Sequence, residues 1–94
     1  METLALKLVK ARLGISSNVR DEYLTAIIKG LIKELAEEKG IILVAENEYH
    51  LMYVVDFASW RYQNRDSSGG VPRHLQYRLH NMMISNGGVA DGDI

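Results

Sequence analysis

Between residues 47 and 65 the chain carries apolar side chains on two sides of one helix. Leu51, Val54, Val55, Ala58 and Tyr62 recur at three and four residues along one side, and Tyr53, Phe57 and Trp60 lie along another. Only the strip of Glu48, Asp56, Ser59 and Gln63 is consistently polar. A helix apolar on two sides needs cover on both, so it sits at the centre of a bundle or owns a second partner surface. A chain of 94 residues is too short to divide into halves with a core each. One small domain built around this segment is the expected outcome.

The remaining patterning supplies the helices that would cover it. A first helix is expected over 3–13, capped by Thr3 and stopped by Gly14, with Leu6, Val9 and Leu13 on its inner face. After the polar linker Ile15-Ser-Ser-Asn18, Asn18 and Asp21 resemble a capping box for a second helix over 19–39. Its stripe of Leu24, Ile27, Ile28, Leu31, Ile32 and Leu35 is the clearest in the chain. Gly30 interrupts that helix at a cost of about 1 kcal/mol relative to Ala, either for a close helix approach or as a tolerated defect. Gly40 ends it. Ile41-Ile-Leu-Val44 has no strand to pair with and is expected to be an apolar connector packed under the bundle. Asp66-Ser-Ser-Gly-Gly70 breaks the chain, and Pro72 suits the first position of a last helix over 72–84, with Leu75, Leu79, Met82 and Met83 inward. The sequence thus predicts an all-α fold, a small bundle of about four helices (3–13, 19–39, 47–65, 72–84) in one domain, 1–84. A flexible, Gly- and Asp-rich tail, 85–94, follows.

Composition removes several function classes. The absence of Cys excludes a disulfide framework and a Cys-based zinc site. No apolar run is long enough to span a membrane. Met1-Glu-Thr lacks the basic start of a signal peptide, so a cytoplasmic beginning is expected. His74 and His80 are six apart and fall on different helix faces, and no pair that includes His50 has the spacing of a zinc helix. Asp56 lies in the apolar run 51–60, where a paired or solvated carboxylate is expected in place of a catalytic acid. Glu34, Glu37 and Glu38 lack a calcium loop, and the Gly-Gly break lacks the Gly-Lys-Ser/Thr of a phosphate loop. With no nucleophile–base pairing in view, neither an enzyme nor a cofactor is expected.

The net charge of −1 is unevenly spread. Residues 1–29 sum to +2, 30–56 to −4, 57–84 to +3 and 85–94 to −2. Such blocks are either ordinary solvated helix faces or complementary surfaces that pair between copies. Trp, Tyr and Arg dominate interface hot spots, which makes Trp60, Arg61, Arg65, Arg73 and Tyr77 the candidate contact residues. Trp60 and Tyr62 serve equally well as core, and Arg61 and Arg65 serve equally well as partners of Asp66 or of Glu residues within the monomer. A second class is a helix-turn-helix-like DNA binder reading through Arg73, Gln76 and Arg78. Against it stand the loose Gly-Gly loop and the slightly acidic chain.

Three segments in order carry a family resemblance. They are Lys10-Ala-Arg-Leu-Gly-Ile15 followed by Arg20-Asp-Glu-Tyr-Leu24, then His50-Leu-Met-Tyr-Val-Val-Asp-Phe-Ala-Ser-Trp60, then Trp60-Arg-Tyr-Gln-Asn-Arg65 with a polar loop and Val71-Pro72. In this order the chain resembles the phage head–tail connector (adaptor) proteins of tailed phages and prophages, over about residues 4 to 84. It departs from them in its short, Pro-free connector after the second helix. The resemblance implies a homo-oligomeric ring bound to the portal protein at the head–tail junction of the virion, assembled in the bacterial host cytoplasm. It also implies a platform for a tail or stopper protein and a channel through which DNA passes without sequence-specific binding. No catalysis and no membrane are implied.

Overall fold

The segment with two apolar sides is the central helix, and the other three are arranged by what they cover on it. The structure, a computed structural model, describes residues 1–66 and 69–84; the expected tail, 85–94, and Ser67 and Ser68 lie outside the described residues. Four helices make up the fold: α1 (Glu2–Leu13), α2 (Asp21–Glu38), α3 (Glu48–Gln63) and α4 (Arg73–Met83). No strand occurs among the described residues. α1 and α2 pack on each other and both on α3, whereas the backbone of α4 approaches α3 alone.

Burial follows the stripes. Leu24, Ile27, Ile28, Leu31 and Leu35 of α2 are buried, each contributing roughly 1.5–3 kcal/mol of transfer free energy. Against them lie Leu51, Val54, Val55, Ala58 and Tyr62 from one side of α3 and Tyr53 and Phe57 from the other, all buried. α1 adds Ala5 and Val9, and α4 adds Leu75 and Met82. Both apolar sides of α3 are therefore largely covered within the monomer. Ser59, expected on the polar strip, is fully buried, because a side chain that small fits between packed helices. Met83, expected inward, is 38% exposed at the last turn of α4.

The helix ends depart from the sequence in instructive ways. α1 begins at Glu2, and the Ala5 N–H donates to the Met1 carbonyl, so Thr3 lies inside the first turn and caps nothing. α2 begins at Asp21 without a side-chain cap. Asn18 and Asp21 are instead both taken by Lys10 of α1, whose ammonium donates to Asn18 Oδ1 at 3.2 Å and pairs with Asp21 at 2.7 Å. A charged tether between two helices has displaced a local cap. Pro72 has ψ 147°, outside the helical region, so it precedes α4 instead of opening it. Its carbonyl accepts from the Leu75 and Gln76 N–H groups, both at 3.1 Å. Residues 41–44 alternate: Ile41 is fully buried and Leu43 packs against the core, while Ile42 and Val44 face outward. Only half of that connector lies under the bundle.

Gly14 ends α1 with φ 73°, and the paired bonds from Gly14 N–H to the Ala11 carbonyl and from Ile15 N–H to the Lys10 carbonyl close a Schellman turn. Gly30 is different, since it lies within α2, is exposed, and has nothing within 4 Å of where a Cβ would stand. It serves no close helix approach within the monomer. Gly30→Ala should therefore stabilise the protein by about 1 kcal/mol, and Gly14→Ala should destabilise it by about 1–2 kcal/mol. Urea unfolding of the two variants beside the parent checks both signs.

Candidate interaction surface

Asn47 caps α3, its side-chain oxygen accepting from the Tyr49 and His50 N–H groups at 2.9 and 3.2 Å. This cap sets residue 50 on the first turn, facing back over the incoming connector. There the buried His50 ring accepts the Val44 N–H at Nδ1, 3.0 Å away, and so pins the connector to α3. Because Nδ1 accepts, the neutral ring carries its proton on Nε2. The sequence marked His50 only as one of three histidines; its signal was its place three residues after a capping Asn.

Two turns on, Asp56 accepts from two arginines. The Arg78 guanidinium of α4 donates to Oδ2 at 2.7 Å, and that of Arg12 in α1 to Oδ1. The Asp56 and Arg78 side chains keep only about a fifth of their exposure, whereas Arg12 is half exposed. One carboxylate thus joins three helices, and Asp56 is paired, as expected.

Aromatic rings step along the side of α3 next to α4. Tyr53 and Phe57 meet edge-on at 5.7 Å between centroids, as do Phe57 and Trp60. Guanidinium groups lie over this row: Arg78 over Tyr53 and Tyr49 at 5.4 and 5.7 Å, and Arg61 over Phe57 at 5.0 Å. The Tyr53 hydroxyl is buried and has no hydrogen-bond partner. Burial pushes its pKa up to about 12, despite the opposing pull of Arg78.

The five candidate contact residues separate by setting. Trp60 is half-buried against Phe57, and Arg61 is half-buried and pairs with Glu34 at 3.8 Å. Arg65 is exposed, lies 4.2 Å over the Tyr62 ring and donates to the Tyr62 carbonyl. Arg73 and Tyr77, one turn apart on α4, are both exposed, Tyr77 by 66%. Trp60 and Arg61 thus lie in the last turn of α3 with Arg65 just beyond it, while Arg73 and Tyr77 lie on the first two turns of α4. Two residues that the sequence did not single out join Arg65: Arg20 lies over the same Tyr62 ring at 5.7 Å, and Tyr23 meets that ring at 6.0 Å. Among the described residues, no carboxylate lies within ion-pair distance of Arg20, Arg65 or Arg73. None forms a cluster of three or more His, Asp or Glu able to hold a metal ion, and none belongs to a helix long and apolar enough to cross a membrane.

Fold and surface together define a small all-α bundle with an exposed arginine–tyrosine patch. Compared with known proteins, the chain matches no family model, no curated protein and no solved structure.

Burial holds the His50 pKa below its ordinary value of 6.5. As pH falls, the unfolded chain takes up this proton before the folded one does. The contribution is therefore complete above about pH 6.5 and is lost as the pH falls from there toward the lowered folded-state value. His50→Asn keeps an acceptor near Val44 but does not titrate, so its urea midpoint should fall less between about pH 7.5 and pH 5 than that of the parent. At neutral pH, Asp56→Asn should cost about 1–2 kcal/mol, most of it through Arg78, since the half-exposed Arg12 is better solvated. The same unfolding assay on Asp56→Asn, with and without Arg12→Ala, checks that division.

Proposed function

We propose that the protein is a structural virion-assembly protein, a head–tail connector or adaptor that binds the portal as an oligomeric ring and extends the DNA channel toward the tail. The order of its three segments supports this. The observation that carries it is the coexistence, on one subunit, of exposed arginines and exposed carboxylates that are left unpaired within the monomer. Arg20, Arg65 and Arg73 have no carboxylate within ion-pair distance, and Glu37, Glu38, Glu46 and Glu48 have no cation within that distance among the described residues. Complementary patches on one molecule favour a head-to-tail contact, which closes into a ring when its rotation permits. Tyr77, one turn from Arg73, and Tyr23, against the Tyr62 ring, add exposed aromatic surface.

A small DNA-binding domain is the other class, and α4 speaks against it. Of the three side chains that would read bases, Arg78 is bound to Asp56, and Gln76 donates to the Val71 carbonyl at 2.7 Å. Only Arg73 is left free to reach a groove.

Native mass measurement of the protein mixed with the portal protein from the same genome tests the assignment. Defined multi-subunit particles are expected, and the double charge reversal Arg65→Glu, Arg73→Glu should abolish them while leaving the helical circular dichroism intact. Failure to form particles, or tight binding to duplex DNA with steep salt dependence, overturns the connector assignment.

A further inference from the structure

α2 carries, at each end, charge that its own dipole disfavours. A helix favours anions at its N-terminus and cations at its C-terminus. Asp21 and Glu22 suit the start of α2, but the exposed Arg20 stands at its N-cap. The last turn closes on the exposed Glu37 and Glu38 and holds no basic residue. Among the described residues, no ion pair relieves either end: Glu22 and Asp66 do not reach Arg20, and Lys33 and Lys39 do not reach the two carboxylates.

The same two ends hold the two most exposed large apolar side chains among the described residues. Val19, 86% exposed, precedes Arg20, and Ile42, 68% exposed, follows the end of α2. Gly40, at φ 68°, turns the chain there, and the Ile41 N–H donates to the Leu35 carbonyl at 2.8 Å. That bond keeps Ile42 close to the last turn and its carboxylates. At the other end Arg65 joins Arg20 over the Tyr62 ring, at 4.2 and 5.7 Å. Each end is thus an apolar tip beside two like charges, arginines at one and carboxylates at the other. The 18 residues of α2 hold them about 27 Å apart, so they cannot meet within one copy. A second copy presents the matching end, in charge and in apolar tip, to each.

We propose that the two ends of α2 are the two halves of one contact between copies. Val19 of one copy meets Ile42 of the next, while Arg20 and Arg65 of the first pair with Glu37 and Glu38 of the second. The contact is heterologous and so propagates from copy to copy. It gives the head-to-tail association proposed above, on which it rests, its two surfaces, and it needs no portal.

The chain has no Cys, so an introduced disulfide reports the contact cleanly. Val19→Cys and Ile42→Cys are combined, and the full-length protein is oxidised at low salt, with and without the portal protein. A ladder of covalent dimers, trimers and longer chains is expected, since the two positions are too distant to pair within a copy. Each single variant should give no dimer by itself, and their mixture should stop at the dimer. Adding Arg20→Glu and Arg65→Glu should remove the ladder, and adding Glu37→Arg and Glu38→Arg to the same chain should restore it. High salt should weaken the ladder too, and it decides alone if a charge variant does not fold. Monomers only in both samples, a product that stops at the dimer, or a ladder indifferent to charge reversal and salt overturns the contact. Portal-bound particles without the ladder refute the contact and leave the connector assignment standing; a ladder without portal binding does the reverse.

Discussion

Asp56 is the one polar residue on α3 to which two other helices are tied, and the position of α4 depends on it. α4 has just two fully buried apolar side chains, Leu75 and Met82, and meets the bundle along α3 alone. The bond from Arg78 to Asp56 therefore supplies the registration that apolar contact leaves loose. Arg12 brings the end of α1 to the same carboxylate. A half-buried carboxylate with two guanidinium partners is satisfied, whereas either arginine without it would lose a charged acceptor.

Arginine performs two tasks in this bundle. Arg61 and Arg78 lie across the aromatic side of α3 and also pair with Glu34 and Asp56, so their charge is spent inside the monomer. Arg20 and Arg65 lie over Tyr62 with no carboxylate in ion-pair range among the described residues. A guanidinium on an aromatic ring keeps its N–H edges free to meet an acceptor from another molecule. Tyr62 thus presents two arginines without neutralising them. The first pair holds the fold together; the second pair is available to a partner.

The four helices and the central place of α3 were legible in the sequence, because the periodicity at 24–35 and the two-sided pattern at 51–62 leave few alternatives. What escaped it were interactions between elements. Thr3 and Asn18 look like caps by local rule, yet α1 starts ahead of Thr3, and Lys10 captures Asn18 from another helix. Ser59 is polar by type but small enough to bury. His50 gains its role from the path of the connector, which no local pattern fixes. Arg61, Arg65, Arg73 and Tyr77 could be named as contact residues from type alone. Their division into half-buried Arg61 and exposed Arg65, Arg73 and Tyr77 depends on where α2 and α4 lie.

Segment charge is a poor guide to available charge, and the difference bears on the proposed channel. Of the four arginines in 57–84, Arg61 and Arg78 are paired within the monomer, leaving Arg65 and Arg73, with Arg20 beside them. Of the six acidic residues in 30–56, Glu34 and Asp56 are paired, leaving Glu37, Glu38, Glu46 and Glu48 exposed. A head-to-tail contact between copies would match those three arginines against these four carboxylates. Such pairing leaves no surplus of arginine from this patch to grip phosphates. In a ring of this kind, passing DNA would meet little from these surfaces that favours adhesion, and weak adhesion is what a conduit requires.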